Sequence, residues 1–570
     1  MKRATCLNLV LLLALFVSAC SAVPAAAPKS TPSASDGAAP AAEASPTVSV
    51  AAPESTPAAS EGAVPAAKAS GGTVSVGVNR EPDMLDPNVG SSRYDDAVHM
   101  NIFNSPLYRD ADLNFVPGLV KEWLADETNT TWTLKLREGV TFHDGTPFNA
   151  KALKFNFDRI SNPETASKKA KGLLGNATTT VVDEYTLEVE YEAPYAAFLD
   201  ALSTPVMGIV SPASVEKFGA DVGRNPVGTG PFKFVEWIAQ DRIVLERNPD
   251  YNWAPEHLGT KGAVALDQLI FRVIKEDVAR VVALETGEID AMINLPREQV
   301  ARFEGDPAFV VERAVVVGSP TMLVLNGSKA PTDDVMVRQA VEHAINHDDL
   351  ILAALFGVGI RAFGPLSSAN PCYDAKIESK YSYDPVKASA MLVEAGWADA
   401  DADGILDKGG QPLAVEYITF GGAANRRTAE VIQAQMREVG VDLTIREMES
   451  PAIQAARQAG EHNLAWLSWL GMDPAVLDVM FHSRNIGKGW NFSHYPVAEL
   501  DALIEQGATE IDGAVRCEIY SKVQNLILDE GMIIPMYLQE QIVAHTAKIQ
   551  GLGMSPHGDY IEWHNATKSE

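Results

Sequence analysis

Cysteine is scarce. Four residues, Cys6, Cys20, Cys372 and Cys517, serve a chain of 570. That number excludes a disulfide-stapled scaffold and a cysteine-rich metal cluster. Positive charge is also short: Lys and Arg total 46 against 75 Asp and Glu, a formal net charge of −29. Such a surface repels phosphate backbones and argues against nucleic acid as a partner. The apolar run Leu9–Val17 is too short to span a bilayer, which takes about 20 residues of helix. No P-loop, no G-x-G-x-x-G after a strand, no G-x-S-x-G and no H-E-x-x-H occurs, and these absences argue against an enzyme. What is present is ordinary for a globular protein, with 46% hydrophobic and 7% aromatic residues. At roughly 150 residues per domain, the length suits three or four domain-sized units.

The first seventy residues differ from the rest. Lys2 and Arg3 precede the apolar run, and Val17-Ser18-Ala19-Cys20 follows. Residues 1–19 therefore read as a signal peptide, and the tetrapeptide resembles the bacterial lipobox. Its small residues admit a peptidase to the backbone, and Cys20 would carry the lipid. At about 0.8 kcal/mol per buried CH₂, two or three acyl chains anchor stably. The alternative is ordinary secretory cleavage with Cys20 incidental. Loss of Lys2 and Arg3 takes the net charge from −29 to −31.

Residues 21–70 are a low-complexity linker in which Ala, Pro, Ser and Thr fill 38 of 50 positions, with no aromatic residue. Such a stretch buries too little apolar area to offset its ordering entropy. It carries a duplication: the text of 35–45 recurs at 60–70, and Thr-Val-Ser-Val follows each copy. Pro and Ala stiffen the chain, so the segment reads as a spacer.

Beyond residue 70, short strands alternate with longer helices. Val74, Val76 and Val78 mark a strand, as do Trp132, Leu134 and Leu136, and Leu187, Val189 and Tyr191. Val337, Ala340, Val341, Ala344 and Ile345 carry helical spacing, and so do Leu500, Leu503 and Ile504. This pattern predicts α/β architecture. Thr141–Pro147 places a turn after the Trp132 strand, with Asp144-Gly145 suited to a left-handed conformation. Asn149 stands where it would cap the next helix. The glycines of Gly228-Thr229-Gly230-Pro231 permit close backbone approach.

Several blocks are recognisable together. Residues 118–157, including Thr131–Phe148, closely resemble the signature of family 5 extracellular solute-binding proteins of ABC importers. Glu81–Pro87, Asn104–Tyr108, Pro226–Phe232, Leu245–Tyr251, Gly287–Asp290 and Val337–Ala340 match in family order. The resemblance covers nearly all of 71–570. It implies a two-lobed periplasmic-binding-protein type II fold (cluster C) with an extra subdomain on lobe one. Lobe one would hold 71–318, with the subdomain at about 109–210. Lobe two would hold 319–534, and 535–570 would return to lobe one. It implies a solute receptor that closes by hinge motion and serves a permease with its ATPase. It implies no catalysis, no cofactor, and a monomer on the outer face of the cell membrane, periplasmic or cell-surface.

In peptide-binding relatives, an aspartate three positions before an Asp-Pro pair captures the peptide's α-ammonium. Here that position is Leu470, in Trp469-Leu470-Gly471-Met472-Asp473-Pro474. Leu470 offers no charge, so either Asp473 or another acid takes over, or the ligand lacks a free α-amine. Asp473 before Pro474 also suits a helix cap. Trp466 and Trp469 are candidate cleft lining for apolar or sugar-like surfaces, or core. Arg484 is a candidate for a ligand carboxylate, or a solvated surface residue. On the first lobe, Arg93, Tyr94 and Asn104 follow the first strand, where loops usually face the cleft. Peptide or peptide-like solutes lead; glutathione, metal chelates, oligosaccharides and a sensor or chaperone role stay open.

Two motifs could hold a metal. His343 and His347, four apart on one predicted helix, form a possible Zn²⁺ or Ni²⁺ pair or a hydrated helix face. Asp399, Asp401, Asp403 and Asp407 with Gly404 follow much of a calcium loop, but position 12 is Gly410. The expectation is no resident metal. Cys372 and Cys517 either pair as a disulfide or stand as two free thiols.

Overall fold

The computed structural model describes residues 71–569, except 91, 261 and 559. The signal segment, Cys20 and the linker lie outside the described residues. Three larger sheets organise the described chain. The first has seven strands in the order Phe309–Val315, Glu540–Thr546, Ala291–Ile293, Thr73–Val78, Gln268–Val273, Arg242–Arg247 and Phe232–Ile238. The second has five: Asp442–Met448, Ala414–Phe420, Leu464–Leu470, Gly318–Leu325 and Ile533–Tyr537. The third, antiparallel, joins Val120–Ala125, Thr131–Leu136, Thr186–Glu190 and Thr178–Asp183.

Helices cover both faces of the large sheets. In lobe one, Val74, Val76 and Leu269 share a core with Val98 and Ile102 of helix Arg93–Ile102. Met292 and Ala544 pack on the other side with Val281, Leu284 and Phe303. In lobe two, strand Gly318–Leu325 is buried throughout. Its Leu323 and Leu325 meet Val337, Val341 and Ala429, while Met322 and Val324 meet Leu477, Tyr520 and Val523. This is the two-sided burial of a central strand. In the subdomain, Trp132, Leu134 and Leu136 point into one core with Leu153 and Phe157.

Local chemistry explains the elements. Asn149 caps helix Ala150–Ser161, accepting from the Lys151 and Ala152 amides. Gly145 has φ 82° in the turn before it. A Cβ on Gly228 would stand 2.1 Å from the Ile102 carbonyl oxygen, so close approach requires that glycine. The helix expected through Ile345 ends at His343, and Asn346 caps a new helix, His347–Leu355.

The chain crosses from the first sheet to the second between Val315 and Gly318. It returns between Tyr537 and Glu540. The return lies a few residues beyond the expected boundary at 534, because Ile533–Tyr537 pairs with Gly318–Leu325. The crossings are tied together: Val316 N–H donates to the Gln539 carbonyl (2.9 Å), and Gln539 Nε2 to the Ser319 carbonyl (3.1 Å).

Candidate functional site

Parallel strands in both lobes end at the same junction. In lobe one, Thr73–Val78, Gln268–Val273 and Ala291–Ile293 run parallel. In lobe two, Ala414–Phe420 runs parallel to Asp442–Met448 and Leu464–Leu470. Carboxyl ends of such strands are where open α/β sheets bind ligands. A cavity of about 480 Å³ opens there, with Asn294 and Arg297 from lobe one and Phe356, Asn425, Arg427 and Tyr537 from lobe two. Arg297 pairs with Glu540 at 3.2 Å. Arg427 stacks on Phe356 at 4.8 Å.

On the lobe-one side, Arg93 Nη2 donates to Asn294 Oδ1 at 2.8 Å. The Arg80 and Arg93 guanidiniums each lie 5.5 Å from the Tyr94 ring. These groups line a small enclosed space of about 30 Å³ with Asn79 and Gln541. Asn104 is elsewhere. It is fully buried, donating to the Tyr108 and Tyr251 hydroxyls and accepting from Thr229. The chain after helix Arg93–Ile102 turns into the core, so Asn104 is a packing residue and not cleft lining.

On the lobe-two side, Trp466 and Trp469 face opposite sides of their strand. Trp466 packs edge-on to Phe420 at 5.4 Å, and Trp469 to Trp490 at 4.9 Å. Both are half-buried. Arg457, buried between Phe420 and Phe492, donates to the Trp466 carbonyl at 2.7 Å. Burial pulls its pKa down to about 10. Leu470 ends the strand half-buried, opposite Gly318. Asp473 is engaged: Arg516 donates twice to its carboxylate, at 2.6 and 2.7 Å, and the Ala475 amide once, at 2.8 Å. Arg484 is half exposed and pairs with Asp478 and Glu505.

A second ion pair faces Asp473 and Arg516 from the subdomain. Arg109 donates to Asp200 at 2.6 Å, both buried. Burial raises the Asp200 pKa; Arg109 opposes that, and the Asp473 charge adds to it. Burial likewise pushes Tyr195 up to about 12, helped by Asp473. The Ala196 amide donates to the Ala508 carbonyl at 3.3 Å, joining the subdomain to lobe two.

The two remaining motifs differ in outcome. His343 and His347 stand on separate helices, and their rings bond the Ser382 and Pro535 carbonyls at 2.8 and 2.7 Å. They do not form an i, i+4 pair, because Asn346 restarts the helix. Asp399, Asp401 and Asp403 are exposed, with carboxylate oxygens within 4.8 Å of one another. Cys372 and Cys517 are disulfide-bonded.

The model for bacterial extracellular solute-binding proteins, family 5, middle region, matches residues 114–488. The chain belongs to this family. The glutathione-binding protein GsiB of Escherichia coli K12 is 27% identical over 493 residues, covering 85% of this chain and 92% of that protein. NikA from Brucella suis, solved with Fe(III)-EDTA, is 25% identical with a TM-score of 0.79, covering 87% of this chain and all of NikA. The Bacillus subtilis oligopeptide-binding protein AppA, solved with a nonapeptide, shares the fold at 23% identity and a TM-score of 0.71, covering 88% of this chain and all of AppA. The relatives are binding proteins of the periplasm or cell exterior. Among the described residues, no helix is long and apolar enough to cross a membrane.

Sequence reasoning missed Asn294, Arg297, Phe356 and Arg427. A signal existed for some. Asn294 directly follows a strand, and Gly421-Gly422 separates strand Ala414–Phe420 from helix Ala423–Glu438. Pairing across lobes had no sequence signal.

Proposed function

We propose that this family 5 protein is the receptor of an ABC importer, capturing a peptide or peptide-like solute between its lobes and passing it to the permease. In this reading the chain is exported, lipidated at Cys20 and held off the membrane by residues 21–70. Arg93, Tyr94, Trp466, Trp469 and Leu470 contribute to the cleft; Asp473 shapes it from behind.

One observation carries the ligand class. Leu470 offers no charge, and Asp473 gives its carboxylate to Arg516. Binding an ammonium there would strip that guanidinium of its counter-charge, which is costly when both are buried. The favoured solute therefore lacks a free α-ammonium at this position. The same observation favours a second reading, a metal chelate, and the likeness to NikA with Fe(III)-EDTA supports it.

Calorimetric titration with a free dipeptide, its N-acetylated form, glutathione and Fe(III)-EDTA tests the proposal. The free dipeptide is expected to bind weakest. A free dipeptide with a Kd below about 10 μM, tighter than its acetylated form, overturns the ligand class.

A further inference from the structure

Two elements hold the cleft segment Gly471–Pro474, and a disulfide joins them. From one side, Asn370 Nδ2 donates to the Met472 carbonyl at 2.7 Å. From the other, Arg516 forks onto Asp473 at 2.6 and 2.7 Å. Asn370 lies two residues before Cys372 and accepts the Cys372 amide on Oδ1 at 3.0 Å. Arg516 directly precedes Cys517, which is bonded to Cys372. Met472, Asn370, Cys372, Cys517, Arg516 and Asp473 thus form a closed ring. The disulfide is its cross-link; Met472–Asp473 and Arg516–Cys517 are joined through the backbone, and the other ties are hydrogen bonds.

The position of the bridge matters. The loop around Cys372 also grips helix Gly513–Asp529 through Ser521, Gln524 and Asn525. Those ties lie about one and a half to two and a half turns beyond Arg516. At the first turn, where Arg516 stands, the disulfide is what fastens the helix to the Asn370 loop.

We propose that the Cys372–Cys517 disulfide positions the Gly471–Pro474 segment, so that the shape of the cleft depends on redox state. Arg516 and Asn370 are the positioning residues through which it acts. A dithiol reductant supplies two electrons and two protons, converts the bridge to two thiols and is itself oxidised to a disulfide. The later ties keep the helix packed, so loosening falls on Arg516, Asp473 and the segment they order. The relevance to capture rests on the cleft reading above.

Hydrogen exchange read by mass spectrometry tests this on the full chain without solute, so failure here is separate from failure of the ligand reading. Oxidised protein is compared with protein reduced by dithiothreitol and with the Cys372→Ser/Cys517→Ser double variant. Exchange across 471–478 is expected to rise about tenfold on loss of the bridge, while strand Leu464–Leu470 up to Leu467 and helix Val335–His343 stay protected. Arg516→Lys, which keeps charge but loses the fork, is expected to reproduce the local rise with the bridge intact. Unchanged exchange across 471–478, or a uniform rise across lobe two, overturns the proposal.

Discussion

Arg516 holds Asp473 by two N–H···O bonds of 2.6 and 2.7 Å, with the side chains 11% and 12% exposed. Burial disfavours the Arg516 charge, and the adjacent carboxylate more than restores it, raising its pKa. Arg516→Ala leaves a carboxylate without its partner. It is expected to cost about 3 kcal/mol by urea denaturation. Replacing both residues with apolar ones is expected to cost less than the single change. A loss under about 0.5 kcal/mol for Arg516→Ala contradicts the burial argument.

In the proposed function, Leu470 leaves its part of the cleft without charge. Leu470→Asp is therefore expected to raise affinity for a free-amine dipeptide by about tenfold or more, read by calorimetry. No gain would place the ligand elsewhere in the junction.

Gly318 begins a buried inner strand of lobe two with φ 146°, and a Cβ there would lie 2.6 Å from the Trp469 carbonyl oxygen. Gly318→Ala forces two strands apart beside the first crossing. A loss of about 1–3 kcal/mol is expected, visible as a lower Tm. A wild-type Tm would show that the crossing yields freely.

Buried histidines contribute to the acid limb of stability. Burial lowers His143, His347, His462 and His564 to about 4 and His557 to about 3, from 6.5. A depressed histidine contributes stability that is full above pH 6.5 and is lost as pH falls toward 4, because the unfolded chain then binds more protons. Glu342 runs the other way. Burial raises it to about 8, and its Oε2 has no hydrogen-bond partner. Its contribution is full below about 4.5 and is lost as pH rises through 8. Glu342→Gln is expected to stabilise at pH 8 and to change little at pH 5. Equal effects at both values would contradict a protonated Glu342.

Much of the fold was legible because it rests on local chemistry. The Asn149 cap, the Gly145 turn and the Val74–Val76 alternation each depend on a few adjacent residues. The failures have one cause. The place of Asn104 along the chain suits cleft lining, yet Tyr251 and Thr229, more than a hundred residues away, draw it inward. His343 and His347 share a helical spacing, but Asn346 between them prefers to cap. The Cys372–Cys517 bridge and the junction of Arg297 with Arg427 depend on tertiary approach, which composition and periodicity do not carry.

The central claim is that the cleft captures a small solute. Native mass spectrometry of freshly purified, undialysed protein tests it most directly. A discrete mass above that of the polypeptide is expected, lost when the lobes are unfolded, with a released compound that has no free α-amine. A bare polypeptide that also gains no mass from N-acetylated peptides or metal chelates would contradict the account.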